Sequence, residues 1–236
     1  LGDVYKRQGY DNIDLATATA NGVCVMNTPG QNSNAVAELV FGMTVMMARN
    51  LYNGTSGTEL KGKKLGIHAF GQVGRNVARI AKGFGMEVFA FDPYCPASVM
   101  EAEGVKPITD INELYSTCQY VSLHIPATNE TKKSINYALL KQMPKGAMLI
   151  NTARKEVINE EELVQIMDER PDFRYVSDIT PDNASVFAEK FTGRYFFTPK
   201  KMGAQTAEAN INAGIAAAKQ SVGFLKEGID KFKVNK

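Results

Sequence analysis

The sequence predicts an α/β protein built on a doubly wound parallel sheet. Three observations carry that expectation. From residue 64 onward, short apolar runs alternate with helical patterns, the signature of repeated strand–helix units. A glycine-spaced turn, Ala69 to Gly74, joins the first run to the first helix. An acidic residue, Asp92, closes the second run.

The strand candidates are residues 65–70, 87–92, 120–125, 147–152, 174–179 and 194–198. Several are apolar almost throughout, as parallel strands covered on both faces must be. Helical patterns fall at 73–82, 111–116, 137–143 and 160–168. Asn159 followed three residues later by Glu162 reads as a capping box for the last of these. Two longer helices are expected outside this core, at 35–50 and 206–226. Ala213, Gly214 and Ala216 to Ala218 give the second a surface that can pack closely against a neighbour. Residues 23–26 read as a strand of some other sheet. The expected division is therefore a nucleotide-type domain over 29–205. Segments 1–28 and 206–236 would be the ends of a second domain whose main body lies outside the sequence.

Composition narrows the function classes. With 44% hydrophobic and 22% charged residues, the chain has ample material for a core and is not disordered. The longest apolar run, 39–48, is broken by Gly42 and Thr44 and falls short of the roughly 18–20 residues of a membrane span. Twenty-seven basic against 25 acidic residues leave a charge of +2, too little to mark a nucleic-acid or lipid surface. Cys24, Cys95 and Cys118 are odd in number and widely spaced, which suits reduced thiols and a cytoplasmic setting. Residues 1–8 lack the apolar segment of a signal peptide. His68 and His124 are the only histidines, so no metal site is expected.

The turn Ala69-Phe70-Gly71-Gln72-Val73-Gly74 is a dinucleotide fingerprint whose first glycine is alanine. Gly71 would let the backbone approach a pyrophosphate, and Gly74 would let the helix lie close to the strand. The helix N-terminus supplies free N–H groups and the positive end of its dipole. A methyl group at residue 69 is harmless at negative φ and costs about 1 kcal/mol at positive φ. Asp92 follows Gly71 by 21 residues, the spacing of an acid that binds the adenosine ribose. A carboxylate there repels a 2′-phosphate, so NAD is expected over NADP. The competing reading makes Asp92 a cap for the turn at Pro93.

The second half carries groups for a substrate. Asn151-Thr152-Ala153-Arg154 follows a strand, at the edge where such sheets bind ligands. A guanidinium at Arg154 can grip a carboxylate and polarise a neighbouring carbonyl, or it can simply pair with Glu156 or Glu160. Asp178 ends the fifth run, as a cofactor contact or a cap. His124 reads as a wall residue and His68 as core.

These motifs occur in a familiar order. Asp11-Asn12-Ile13-Asp14, Asn27-Thr28-Pro29-Gly30, Ala37-Glu38-Leu39, the glycine turn, Asp92-Pro93, His124-Ile125-Pro126, Asn151-Thr152-Ala153-Arg154 and Gly203-Ala204-Gln205-Thr206 resemble the D-isomer-specific 2-hydroxyacid dehydrogenases. Within that family the chain is most similar to the short-form D-3-phosphoglycerate dehydrogenases of serine synthesis, from Gly9 to the C-terminus. The resemblance implies a Rossmann-type NAD-binding domain, with remnants of a flavodoxin-like substrate domain, in an NAD-dependent oxidoreductase. It places Gln72 and Val73 on the pyrophosphate, Asp92 on the ribose, and Pro126 and Thr131 beside the adenosine. Thr152, Ala153 and Asp178 would line the nicotinamide pocket, and Arg154 would hold the carboxylate and keto oxygen of a small anionic 2-hydroxy or 2-keto acid. It also implies a homodimer formed through the helix after Pro29. The N-terminal half of the family's substrate domain has no counterpart here, so residues 1–236 alone are expected to bind NAD weakly and turn over nothing.

One departure matters most. The family carries a histidine acid/base, supported by a glutamate, where this sequence reads Thr198-Pro199-Lys200-Lys201-Met202-Gly203. Aligned from Gly203 the histidine position falls on Lys201, and aligned from Pro199 it falls on Lys200; the following helix favours Lys201. For the supporting acid, Asp182 is nearer the family spacing than Glu189. A free lysine, with pKa ~10.4, exchanges protons poorly at neutrality. Beside Arg154 and partly desolvated it would be depressed toward the useful range. Otherwise the lysines only bind an anion or sit on a solvated loop, and the chain is an NAD-binding sensor or corepressor; a third reading keeps catalysis but changes the substrate to another 2-keto acid.

Overall fold

A computed structural model describes Tyr10 and residues 13–235; the expectations placed on residues 1–8, Asp11 and Asn12 lie outside them. In chain order the first elements are α1 (Leu15–Ala20), α2 (Ser33–Ala48), β1 (Lys64–His68), α3 (Gln72–Gly83) and β2 (Glu87–Phe91). There follow α4 (Ala97–Ala102), β3 (Lys106–Pro107), α5 (Ile111–Thr117), β4 (Tyr120–Leu123), α6 (Tyr137–Leu140) and β5 (Met148–Asn151). The last are α7 (Glu160–Glu169), β6 (Arg174–Ser177), α8 (Ala184–Lys190), β7 (Tyr195–Phe197) and α9 (Ala207–Glu227). The chain divides into two compact units, Val36–Gly203 and Leu1–Ala35 with Ala204–Lys236.

The larger unit is a parallel sheet of seven strands in the order β3-β2-β1-β4-β5-β6-β7. Its first six strands have the 3-2-1-4-5-6 order of dinucleotide-binding folds, and the sheet is the doubly wound parallel one that the alternating runs predict. Successive strand residues point to opposite faces, so each strand feeds two cores. Tyr120, Met148, Ile150 and Val176 join one with Leu65, Ile67 and Val88. Val121, Leu123, Leu149 and Tyr175 join the other with Leu114, Leu163 and Phe187. Burial on both faces explains why these strands read as apolar runs rather than alternating ones.

The order reverses between β1 and β4, and the crevice outside their carboxyl ends is where such sheets hold ligands. β1 stops two residues earlier than the expected 65–70 because Ala69 turns the chain at φ +79°. That is left-handed backbone in a residue with a Cβ. Ala69→Gly should therefore raise stability by about 1 kcal/mol, read as an upward shift of the thermal midpoint. An unchanged or lower midpoint would show that the strain is absorbed elsewhere.

Four short elements lie outside the expected ones: α1, α4, α8 and β3. The two-residue β3 contains Pro107 and pairs only with β2, at the sheet edge where a missing N–H is tolerated. In the smaller unit, the strand expected at 23–26 is instead a single antiparallel bridge between Met26 and Lys233. Asn235 does the joining there. Its buried amide accepts from the Val25 N–H (2.8 Å) and donates to the Val23 carbonyl (2.8 Å) and Thr19 Oγ1 (3.1 Å). α9 ends at Gly228, which takes the left-handed φ of +67°.

Candidate active site

The glycine turn sits at the carboxyl end of β1. Gly71 caps α3, whose first residue is Gln72, so the N–H groups of Gln72 and Val73 lie in the helix's open first turn. A Cβ on Gly71 would meet nothing within 4 Å, leaving its backbone open to a ligand. A Cβ on Gly74 would lie 2.4 Å from the Ala69 carbonyl oxygen and 3.0 Å from Ile67 Cγ2. Gly74 is thus what allows α3 to lie against β1.

Asp92 follows β2, and both its oxygens are engaged. Oδ2 accepts from the Phe70 N–H and Oδ1 from the Tyr94 N–H, each at 2.8 Å. The carboxylate is a cap for the turn, and it is also pinned directly to the glycine turn. Each oxygen keeps an acceptor site, which is what a ribose hydroxyl requires.

Beyond β4, Pro126 is exposed and its carbonyl accepts a hydrogen bond from the Thr131 hydroxyl. Thr131 Oγ1 also accepts from the Thr128 N–H at 2.7 Å, so this threonine closes its own loop. Desolvation is the main force on both histidines, pushing His124 down to about 3 and His68 to about 4. Both imidazoles are therefore neutral at pH 7. His124 Nε2 lies 2.9 Å from Ser122 Oγ and His68 Nδ1 lies 3.3 Å from the Tyr115 hydroxyl. These are wall and core positions, as expected.

The chemistry gathers at the ends of β5 and β6. Asn151 shapes the first: its Oδ1 accepts from the Ala153 N–H (2.9 Å) and its Nδ2 donates to the Arg154 carbonyl (3.0 Å). This turn presents Thr152, Ala153 and Arg154 in sequence. Among the described residues Thr152 Oγ1 is buried without a hydrogen-bond partner, which suits contact with a ligand's polar group. Arg154 is half-buried, and its Nη1 donates to the Ala153 carbonyl at 3.0 Å. Asp178, fully buried at the end of β6, accepts from Lys201 Nζ (3.3 Å) and the Gly203 N–H (2.9 Å). Lys201 also donates to the Thr152 and Ala153 carbonyls, at 3.2 and 2.9 Å.

Electrostatics match this packing. Burial pushes the Asp178 carboxyl up, partly opposed by Lys201 and the Gly203 N–H. Desolvation pulls Lys201 down, assisted by Arg154 and opposed by Asp178. About 45% of the Lys201 side chain is exposed, yet its ammonium end is ringed by oxygens.

One expectation needs correction. Asp182 does not support Lys201: its side chain is 78% exposed and forms an ion pair with Lys155. The acid on Lys201 is Asp178. Lys200 is exposed, and its backbone carbonyl accepts from Thr198 Oγ1 at 2.7 Å. In the sequence Gly203 serves as an alignment anchor; in the structure it does more. Its N–H holds Asp178, and a Cβ on it would lie 2.8 Å from Asp178 Oδ2. Among the described residues no cluster of three or more metal-binding side chains occurs, and no helix is long and apolar enough to cross a membrane.

Comparisons with known proteins identify the family of this fold. Residues 34–194 match the family model of the D-isomer specific 2-hydroxyacid dehydrogenase NAD binding domain. The chain is 34% identical to D-3-phosphoglycerate dehydrogenase of Methanocaldococcus jannaschii over 96% of its own length, but spans only 46% of that relative. It is 32% identical to hydroxypyruvate reductase of Thermotoga maritima, covering 88% of this chain and 72% of that one. Among solved structures it resembles the NAD+-bound 3-phosphoglycerate dehydrogenase of Entamoeba histolytica, with TM-score 0.90 and 47% identity over 98% of this chain and 74% of that one. The chain belongs to the D-isomer specific 2-hydroxyacid dehydrogenase family and carries its NAD binding domain.

Proposed function

We propose that the protein catalyses NAD-dependent oxidation of a D-2-hydroxy acid to the 2-keto acid, with 3-phosphoglycerate as its substrate and 3-phosphohydroxypyruvate as the product. The observation that carries this reading is the placement of Lys201 and Arg154 at one turn beside Asp178, outside the carboxyl ends of β5 and β6. Bound NAD supplies the acceptor for the hydrogen leaving C2 of the substrate. Gly71, Gln72, Val73 and Gly74 would hold its pyrophosphate and Asp92 its ribose. Pro126 and Thr131 would border the adenosine, with Thr152, Ala153 and Asp178 along the nicotinamide. Arg154 grips the substrate carboxylate and orients the reacting oxygen, and Lys201 takes the hydroxyl proton as that oxygen becomes a carbonyl. In the reverse direction the lysine returns it.

The smaller unit is assigned in this reading to a flavodoxin-like substrate domain, and the protein to a cytoplasmic homodimer. The test is NADH formation by the whole protein with a panel of D-2-hydroxy acids. Turnover with 3-phosphoglycerate above the others supports the assignment; preference for glycerate or lactate moves it to another acid. The absence of a histidine from 199–206 favours one further reading, an NAD-binding sensor. Micromolar NAD binding with no turnover of any acid would establish that reading instead.

Cofactor choice tests Asp92. Asp92→Ala should weaken NAD about tenfold or more, through loss of the ribose contact and loosening of the Phe70 turn. NADP, freed from repulsion at its 2′-phosphate, should weaken less or improve. Equal changes for both nucleotides in calorimetry would leave Asp92 as a cap alone.

A further inference from the structure

We propose that Glu160 is a positioning residue of the reaction, bracing the loop that carries Arg154 against the loop that follows β6; this rests on Arg154 and Lys201 acting on one substrate. Residues 152–159 run from the end of β5 to α7, and residues 178–183 run from the end of β6 to α8. The register of β5 and β6 ends at the pair Asn151 and Ser177. Beyond it, side chains bridge the loops. Glu160 is the first residue of α7. Its Oε2 accepts from the N–H groups of Asp182 (2.9 Å) and Asn183 (3.2 Å). Its own carbonyl accepts from Asn183 Nδ2 at 3.1 Å. Lys155, the neighbour of Arg154, adds an ion pair with Asp182.

The brace is a half-buried contact, not a solvated one. Burial and the Asp182 charge push the Glu160 carboxyl up, opposed by the Asn183 and Asp182 N–H groups and by Lys155. A carboxylate that gives up water is held in place by the donors that replace it. The loop it grips also reaches the other side of the site. Thr180 Oγ1 donates to the Thr198 carbonyl at 3.0 Å, and Thr198 Oγ1 donates to the Lys200 carbonyl at 2.7 Å. Residues 178–183 thus stand between the two groups that meet the substrate. Glu160 ties them to the Arg154 loop, and Thr180 ties them to the segment that ends in Lys201. With the first tie cut, the guanidinium and the amine no longer share one frame. A misplacement of about 1 Å between groups that act together can cost 10²-fold in rate.

The experiment compares Glu160→Ala, Glu160→Gln and Glu161→Ala in the whole protein, by amide exchange and by kinetics. Glu160→Ala should speed exchange at the Asp182 and Asn183 amides about tenfold or more. It should lower kcat about 10- to 100-fold and raise KM for the hydroxy acid, with KM for NAD within about twofold of the native value. Glu160→Gln keeps an oxygen for both amides and should recover most of the rate. Glu161→Ala removes an exposed acid from the same helical turn and should change neither readout. A simple loss of folded protein would lower kcat and leave both KM values alone, and that pattern overturns the proposal. So does unchanged exchange in Glu160→Ala, or unchanged turnover when the native protein is active. A native protein that turns over no hydroxy acid fails the functional reading itself, and the positioning role falls with it.

Discussion

Lys201→Ala should lower the rate of 2-hydroxy acid oxidation by roughly 10²–10⁴, the range for a lost general acid–base group. The expectation follows from how the amine is held. Desolvation and Arg154 bring it below the range of free lysine, and the Thr152 and Ala153 carbonyls aim it from the turn that carries Arg154. Lys200→Ala should do far less, because Lys200 is exposed and it is the backbone carbonyl, retained in alanine, that holds the Thr198 hydroxyl. Substrate affinity offers an internal control. A lysine that only attracts an anion would raise KM when removed and leave kcat nearly intact, whereas a proton carrier lowers kcat. Equal, mild losses at the two lysines would pass the proton to water and strengthen the sensor reading.

Gly74→Ala should have the second largest effect, and it acts on fold and cofactor together. The added methyl would stand 2.4 Å from the Ala69 carbonyl oxygen, a backbone atom with no rotamer to turn aside. Either α3 lifts from β1 or the turn at Ala69, already at φ +79°, deforms further. Overpacking of this kind costs typically 1–3 kcal/mol. The same displacement moves the N–H groups of Gln72 and Val73, so NAD affinity should fall at least tenfold. Denaturant unfolding and NAD titration on one preparation check both. Loss of affinity without loss of stability would mean that the turn, not the helix packing, is what residue 74 protects.

The sequence made the nucleotide half legible because its constraints are local. Strand, tight turn and helix fix the spacing between Gly71 and Asp92, and Asp92 indeed returns to the Phe70 N–H. The fingerprint also exposed its own weak point at Ala69, although only the structure could give the sign of φ. The half around Lys201 was harder to read because its contacts are distant in sequence. Asp178 and Lys201 are 23 residues apart, and Lys155 and Asp182 are 27 apart. Spacing could name the acids after β6 but could not say which lysine each would meet. Strands β4, β5 and β6 announced themselves by continuous apolar runs. β3 has two residues, and so short an element carries no periodicity to detect.

The central claim, that Lys201 moves the proton, is tested most directly by the pH dependence of kcat for hydroxy acid oxidation in the native protein and in Lys201→His. In this direction the unprotonated group is the base, so the rate rises as pH passes its pKa. Free imidazole titrates at ~6.5, well below the ~10.4 of free lysine from which desolvation lowers Lys201. Lys201→His should therefore retain part of the activity, with its rising limb displaced to lower pH. A rising limb at the same pH in both proteins would contradict the account, because the titrating base would then lie elsewhere.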